Sequence, residues 1–296
     1  MPVSKDTPLP FAYQFVAGGI AGVTEIVSMY PLDVVKTRFQ LQVGNAKDGY
    51  TSILDCLTKI VKNEGVGRLY RGVLPPIFIE APKRAIKFAA FEEYKALYKN
   101  LNSEGKLTQP LLTLSAISAG VTEATIVVPF DLIKIRMQDK ANASRYLNTT
   151  DCFLKIVRQE GPLALFNGIE STMWRHGTWT GLYFTCIGHI KSVLPKPKNS
   201  TETTGINFIA GAIGGTIGTM ANTPFDVVKT RIQNQIAGQP QKYKWTIPST
   251  ILVYKEEGFK ALYKGFAPKV LRLGPGGGIL LVVFDIVSDY MREHFM

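Results

Sequence analysis

Apolar residues fall in six long runs that alternate in purity along the chain. The first, about Phe11 to Gln40, carries one charge, Glu25, between Phe15 and Tyr30. The third, about Pro110 to Gln138, has Glu123 as its lone early charge. The fifth, about Gly205 to Gln233, has none before Pro224. Each is close to the ~20 residues that cross a bilayer as a helix. The second, fourth and sixth runs (Val73 to Lys99, Ile169 to Leu194, Phe266 to His294) set Lys83, Arg84, Lys87, Arg175 and Arg272 among apolar neighbours. Charges at such depth are costly in lipid and face a wet interior. Surface helices of a soluble protein are the other reading of these three runs. Yet each follows a spanning candidate, and the sixth contains the unbroken apolar stretch Ile279 to Phe284. A membrane bundle with a polar inside accounts for both kinds of run.

A motif at the end of each odd run shows how the runs are organised. Pro31-Leu32-Asp33-Val34-Val35-Lys36-Thr37-Arg38 recurs from Pro129 to Arg136 and from Pro224 to Arg231, at offsets of 98 and 95 residues. Glu64-Gly65, Glu160-Gly161 and Glu257-Gly258 follow, each trailed by an aromatic residue and a glycine: Tyr70-Arg71-Gly72, Phe166-Asn167-Gly168 and Tyr263-Lys264-Gly265. Before each Glu-Gly pair lies a short amphipathic stretch, such as Ile53 to Lys62, that reads as a surface helix stopped by glycine. One unit is therefore built three times. The expected architecture is an all-α membrane protein of six transmembrane helices in three pseudo-symmetric repeats, with short surface helices between odd and even helices. The boundaries are a tail over residues 1–10 and repeats over 11–100, 107–195 and 205–296, forming one integral bundle. Gly18-x-x-x-Gly22, Ala116-x-x-x-Gly120 and Gly211-x-x-x-Gly215 would permit close helix approach.

Composition narrows the chemistry. The chain has 296 residues, 46% of them hydrophobic and 19% charged, with a net charge of +11. Mean hydropathy is only +0.07, so a soluble helical-repeat scaffold stays open on composition alone. No long Lys/Arg run or aromatic-basic RNA motif accompanies the charge, which favours a small anion or an anionic lipid surface over nucleic acid. Cys56, Cys152 and Cys186 are scattered and read as free thiols, and no metal-ligand spacing or cofactor motif is present. No nucleophile elbow or P-loop points to an enzyme. The polar N-terminus shows no cleavable presequence.

Three helices meeting at one end would bring their acids and bases into a ring. Pairing each acid with the base of the next unit predicts Asp33–Lys134, Asp131–Lys229 and Asp226–Lys36. Gln40, Gln138 and Gln233, one turn beyond each lysine, would brace the pairs. Local i,i+3 pairing is the alternative. At the other end, the same rotation predicts Glu92–Lys191 and Asp285–Lys95, while the third pair, Gly188 with Ser288, cannot be ionic.

The triplicated Pro-x-Asp-x-x-Lys-x-Arg, with its trailing Glu-Gly and aromatic-basic-Gly elements, resembles the mitochondrial carrier family from about Phe11 to Glu293. Asn167, where a base is usual, and the degenerate pair at Gly188 and Ser288 depart from the pattern. The resemblance implies a multi-pass protein of the mitochondrial inner membrane with a central substrate site. It also implies termini in the intermembrane space and the Asp/Lys ring at the matrix end. Family substrate contacts lie seven and eight residues after the glycine opening each even helix, which marks Ile79-Glu80, Arg175-His176 and Arg272-Leu273. Arg-His on the fourth helix, with the Glu80 to Phe88 stretch and Tyr263 to Gly278, is similar to family members that exchange 2-oxoadipate and 2-oxoglutarate.

The residues agree with that expectation. Ile79, Lys83 and Lys87 share one helical face, and Glu80 and Arg84 the adjoining one. With Arg175 and Arg272 they offer a dicarboxylate several cations, each worth roughly 4 kcal/mol at 4 Å before desolvation. His176 is placed to donate to a keto oxygen or simply to pack. Glu25 and Glu123 occupy one position in two repeats, where the third has Gly218; they balance cavity lysines or carry a proton. The expected activity is exchange of 2-oxodicarboxylates, with another di- or tricarboxylate such as malate or citrate as the alternative. The expected partners are that small anion and inner-membrane lipid, with cardiolipin at the surface helices; the chain is expected to work as a monomer.

Overall fold

The computed structural model describes residues 10–44, 49–102, 106–193, 200–236, 238 and 240–295. Most of the expected tail, residues 103–105 and 196–199 between the expected repeats, and residues 194–195 at the end of the second repeat lie outside them. The described chain is all-helical. Six long helices are α1 (Phe11–Leu41), α3 (Leu74–Leu101), α4 (Gln109–Gln138), α6 (Ile169–Val193), α7 (Ser200–Asn234) and α9 (Phe266–Phe295). Between each odd–even pair lies a shorter one: α2 (Ile53–Glu64), α5 (Thr149–Gln159) and α8 (Thr246–Glu257). The shortest long helix, α6, has 25 residues, or about 38 Å at 1.5 Å per residue, more than the ~30 Å hydrocarbon layer. By length and composition Ala12–Leu41, Gln109–Gln138 and Phe259–His294 are each apolar enough to cross a membrane. The sixth run thus joins the first and third as a clear spanning segment, because its charges cluster at its two ends.

The packing order around the bundle is α1, α3, α4, α6, α7, α9, and α9 returns to α1. Buried apolar side chains cluster in three small cores, one per repeat, where a surface helix docks beneath an odd helix. Tyr30, Val34, Cys56 and Ile60 form the first; Leu132, Tyr146, Cys152 and Ile156 the second; Val228, Tyr243, Val253 and Leu262 the third. Elsewhere large apolar side chains such as Phe15, Phe78, Phe88, Leu281 and Ile286 point outward. Apolar outside and polar inside suits a lipid surround.

Local chemistry sets the helix ends. Ser52 and Asn148 cap α2 and α5 by accepting from the Asp55 and Asp151 backbone amides. α8 lacks such a cap; Glu170 of α6 reaches across to accept from the Thr246 amide at 3.0 Å instead. The odd helices run unbroken through Pro31, Pro129 and Pro224. Gly72, Gly168 and Gly265 all take positive φ near +80°, and the next odd helix abuts each: a methyl on Gly265 would lie 3.0 Å from the Lys36 carbonyl oxygen. Only glycine permits both the turn and that approach. The small-residue motifs serve unevenly: Gly22 meets Glu80 and Gly120 meets Thr180, while Gly18 and Gly215 face open space.

Candidate functional site

The three odd helices converge where their motifs end, and their acids and bases interlock. Lys36 lies 2.7 Å from Asp226, Lys134 2.7 Å from Asp33 and Lys229 2.5 Å from Asp131. Each bond joins two different repeats, so the pairing runs between helices and not along one. Gln40 donates to Asp226 at 3.1 Å and accepts from Thr230. The expected bracing fails at the other two glutamines. The Gln138 carbonyl is taken by the Thr37 hydroxyl at 2.6 Å. The Gln233 amide finds no hydrogen-bond partner among the described residues, because its chain is packed against Gly168.

A second tier ties each odd helix to its surface helix. Arg38 forks onto Glu64, with its two bonds at 3.0 and 2.8 Å. Arg136 grips Glu160, and Arg231 grips Glu257. Burial pushes the Glu257 carboxyl up, but bonding and charge from Arg231, with help from Lys264 and the Gly44 amide, bring it down to about 2. In α2 and α5, burial pushes the Cys56 and Cys152 thiols up to about 12.

Above the ring two polar cavities share Asp33, Lys36, Arg175, His176 and Arg272. One is about 430 Å³ and the other about 240 Å³. Arg272 reaches from α9 to Glu25 at 2.9 Å and Asp33 at 2.6 Å. Lys87 pairs with Glu123 at 3.1 Å. Arg175 is held loosely, 3.8 Å from both Asp131 and Asp226, and its buried Nε has no hydrogen-bond partner among the described residues. Its Nη2 lies 2.6 Å from His176 Nε2. A guanidinium only donates, so that imidazole nitrogen accepts, and the ring proton sits on Nδ1, which faces Glu123 at 3.6 Å. At that distance Nδ1–H is not hydrogen-bonded to Glu123, so it is the one donor the ring can offer, while Nε2 is occupied by Arg175. At Gly218, where the third repeat lacks the acid of Glu25 and Glu123, Trp179 fills the space.

Two expected contacts lie elsewhere. Glu80 is buried and closes on Lys83 and on Arg84 (2.6 Å) of its own helix. Neither Glu80 nor Arg84 lines the polar cavities; Arg84 borders an apolar groove between α1 and α3. One helical step is about 100°, which carries position 84 off the face of Lys83 and Lys87. The far end differs from expectation too. Lys95 bonds Glu92 on its own helix at 2.9 Å, and Asp285 is exposed. No Asp285 ion pair occurs among the described residues, and the Lys191 side chain lies outside them.

Sequence reasoning passed over Lys269, whose Nζ lies 2.6 Å from Asn222 Oδ1 and 3.3 Å from Asp226. Its spacing of three from Arg272, one turn along the same face, was the available signal. It also passed over the pairing of the motif arginines with the Glu-Gly glutamates, although both sets recur in every repeat.

This arrangement agrees with two comparisons. The family model for mitochondrial carrier protein matches residues 7–102, 106–198 and 200–295. The chain belongs to the mitochondrial carrier family. Relatives of this carrier include mitochondrial citrate transporter D of Aspergillus niger, 58% identical over 97% of this chain and 96% of its own. Mitochondrial 2-oxodicarboxylate carrier 2 of Saccharomyces cerevisiae is 50% identical over 98% and 97%. The human mitochondrial 2-oxodicarboxylate carrier is 38% identical over 95% of each chain. As a mitochondrial carrier with apolar helices long enough to span a bilayer, the protein is a multi-pass component of the mitochondrial inner membrane.

Proposed function

We propose that this carrier exchanges 2-oxodicarboxylates, 2-oxoglutarate and 2-oxoadipate, across the inner membrane by alternating access. One observation carries the choice of a dianion. Each carboxylate that lines the cavities can be assigned a base of its own: Asp226 takes Lys36, Asp33 takes Lys134, Asp131 takes Lys229, Glu123 takes Lys87 and Glu25 takes Arg272, while the cavity cation Lys83 is neutralised from behind by Glu80 of its own helix. Among the described cavity residues, Arg175 and Lys269 are left without one. Two surplus positive charges in a confined polar space call for two negative charges, and the names of several relatives agree.

In this reading the ring is the matrix gate, closed here, and the cavity opens toward the cytosolic side. A bound dianion draws Arg175 from Asp131 and Asp226 and loosens the ring. The bundle then closes at its other end through Glu92–Lys191 and Asp285–Lys95, with Gly188 and Ser288 leaving that layer weaker. Substrate can drive this only by binding the intermediate more tightly than either end state, which makes exchange easier than empty return. Glu25 and Glu123 balance charge or carry a proton. The protein is a transporter and not an enzyme; the three repeats act as one monomeric bundle, and the surface helices meet inner-membrane lipid, cardiolipin included.

The name of the Aspergillus relative favours one rival, a tricarboxylate carrier. Purified protein in liposomes loaded with 2-oxoglutarate should take up external 2-oxoadipate and 2-oxoglutarate faster than malate, citrate or phosphate. Preference for citrate would replace the dianion reading with the tricarboxylate one.

A further inference from the structure

Lys269 stands beside Arg175 as the other cavity cation without a carboxylate of its own, and the two approach one acid from opposite sides. Lys269 Nζ lies 3.3 Å from Asp226 Oδ2, and Arg175 Nε lies 3.8 Å from Oδ1. Oδ2 is already engaged by Lys36 at 2.7 Å and by the Gln40 amide at 3.1 Å. Lys269 makes the longest of these three contacts, so it can leave with the least loss. Its remaining bond is to the neutral Asn222. We infer that Lys269 is the receptor for the substrate's distal carboxylate, with Arg175 holding the other end, so that this pair selects diacids over monoacids.

The inference rests on the exchange of 2-oxodicarboxylates proposed above and goes beyond it by assigning the residue that reads the second charge. The dimensions agree. Both cations flank one carboxylate, so their charged atoms lie at most about 9 Å apart. A five- or six-carbon diacid has carboxyl carbons roughly 5–6 Å apart when extended. Arched over Asp226, it meets both cations and takes the place that Asp226 holds for them in the empty cavity. A monoacid would leave Lys269 on Asp226 and the ring fully tied. Lys269 thereby couples substrate choice to the gate, because only a diacid removes both secondary cations from Asp226 and leaves it to Lys36 and the Gln40 amide.

The test uses the full chain reconstituted with internal 2-oxoglutarate. KM is measured for 2-oxoadipate, and the inhibition constant for 2-oxohexanoate, its six-carbon analogue with one carboxylate. Lys269→Gln should raise the KM for 2-oxoadipate roughly ten- to a hundredfold, the loss of one hydrogen bond to a charged group. It should leave inhibition by 2-oxohexanoate within about twofold. Lys269→Arg should retain most of the selectivity and reports whether the site tolerates replacement. Equal weakening toward both acids in Lys269→Gln, or an unchanged KM, overturns the assignment. A wild-type protein that exchanges neither diacid overturns the reading beneath it instead.

Discussion

Replacing Asp226 by asparagine keeps its volume and removes one charge at the most crowded point of the ring. The side chain is 2% exposed, and Lys36, Lys269 and Arg175 all lie within 4 Å. The Lys36 contact alone, at 2.7 Å, is worth about 6 kcal/mol at an effective dielectric of 20 before desolvation. Removing one partner of a buried pair typically costs ~3–5 kcal/mol net, since the other charge stays buried. For a chain of this size that is roughly 2 °C per kcal/mol, or a fall of about 6–10 °C in the melting temperature of detergent-solubilised protein, read by tryptophan fluorescence. The control is Glu92→Gln at the other end. Glu92 is 68% exposed and paired within its own helix, so its loss should cost only a few tenths of a kcal/mol. If Asp226→Asn melted within about 2 °C of wild type, or if both variants shifted equally, the ring would not be the tighter closure.

Three further outcomes follow from local geometry. Gly168→Ala and Gly265→Ala should each lower the melting temperature measurably, since both need positive φ and both abut the neighbouring odd helix; Gly274→Ala, with open space around it, should be near neutral in the same assay. In folded protein at pH 8, Cys56 and Cys152 should resist maleimide until denaturant is added, because burial holds their thiols up at about 12, as mass spectrometry of the labelled peptides will show. The depressed Glu257 pKa of about 2 contributes stability above its unfolded value of ~4.3, and that contribution is lost as pH falls toward 2. Glu257→Gln should therefore flatten part of the stability decline between about pH 5 and 3, measured as melting temperature against pH.

The closed ring could be read from the chain because three copies of Asp-x-x-Lys at one period leave few ways to pair around a threefold axis. Surface helices were legible from their amphipathic pattern and glycine stops. Gln40 was legible as a brace, but the places of Gln138 and Gln233 were not, because a competing hydroxyl, Thr37, and a glycine contact, Gly168, decide where each side chain goes. Arg84 shares the stretch of Lys83 and Lys87 but not their face, and Glu80 is consumed by its own helix. The Glu92 and Asp285 pairings depend on which end of the bundle is shut, a property of conformation that residue spacing does not encode. Lys269 lies outside the fixed offsets from the opening glycine, and only its place one turn before Arg272 marks it as sharing the same face.

Accessibility of the cavity tests the central claim most directly. Leu273 lines the larger cavity and is 43% exposed. With Cys56, Cys152 and Cys186 replaced, Leu273→Cys should react with a membrane-impermeant thiol reagent added on the side away from the ring, and 2-oxoglutarate should slow that reaction in proportion to its occupancy. Labelling only from the ring side, or at a rate that 2-oxoglutarate leaves unchanged, would contradict an anion pathway through this space.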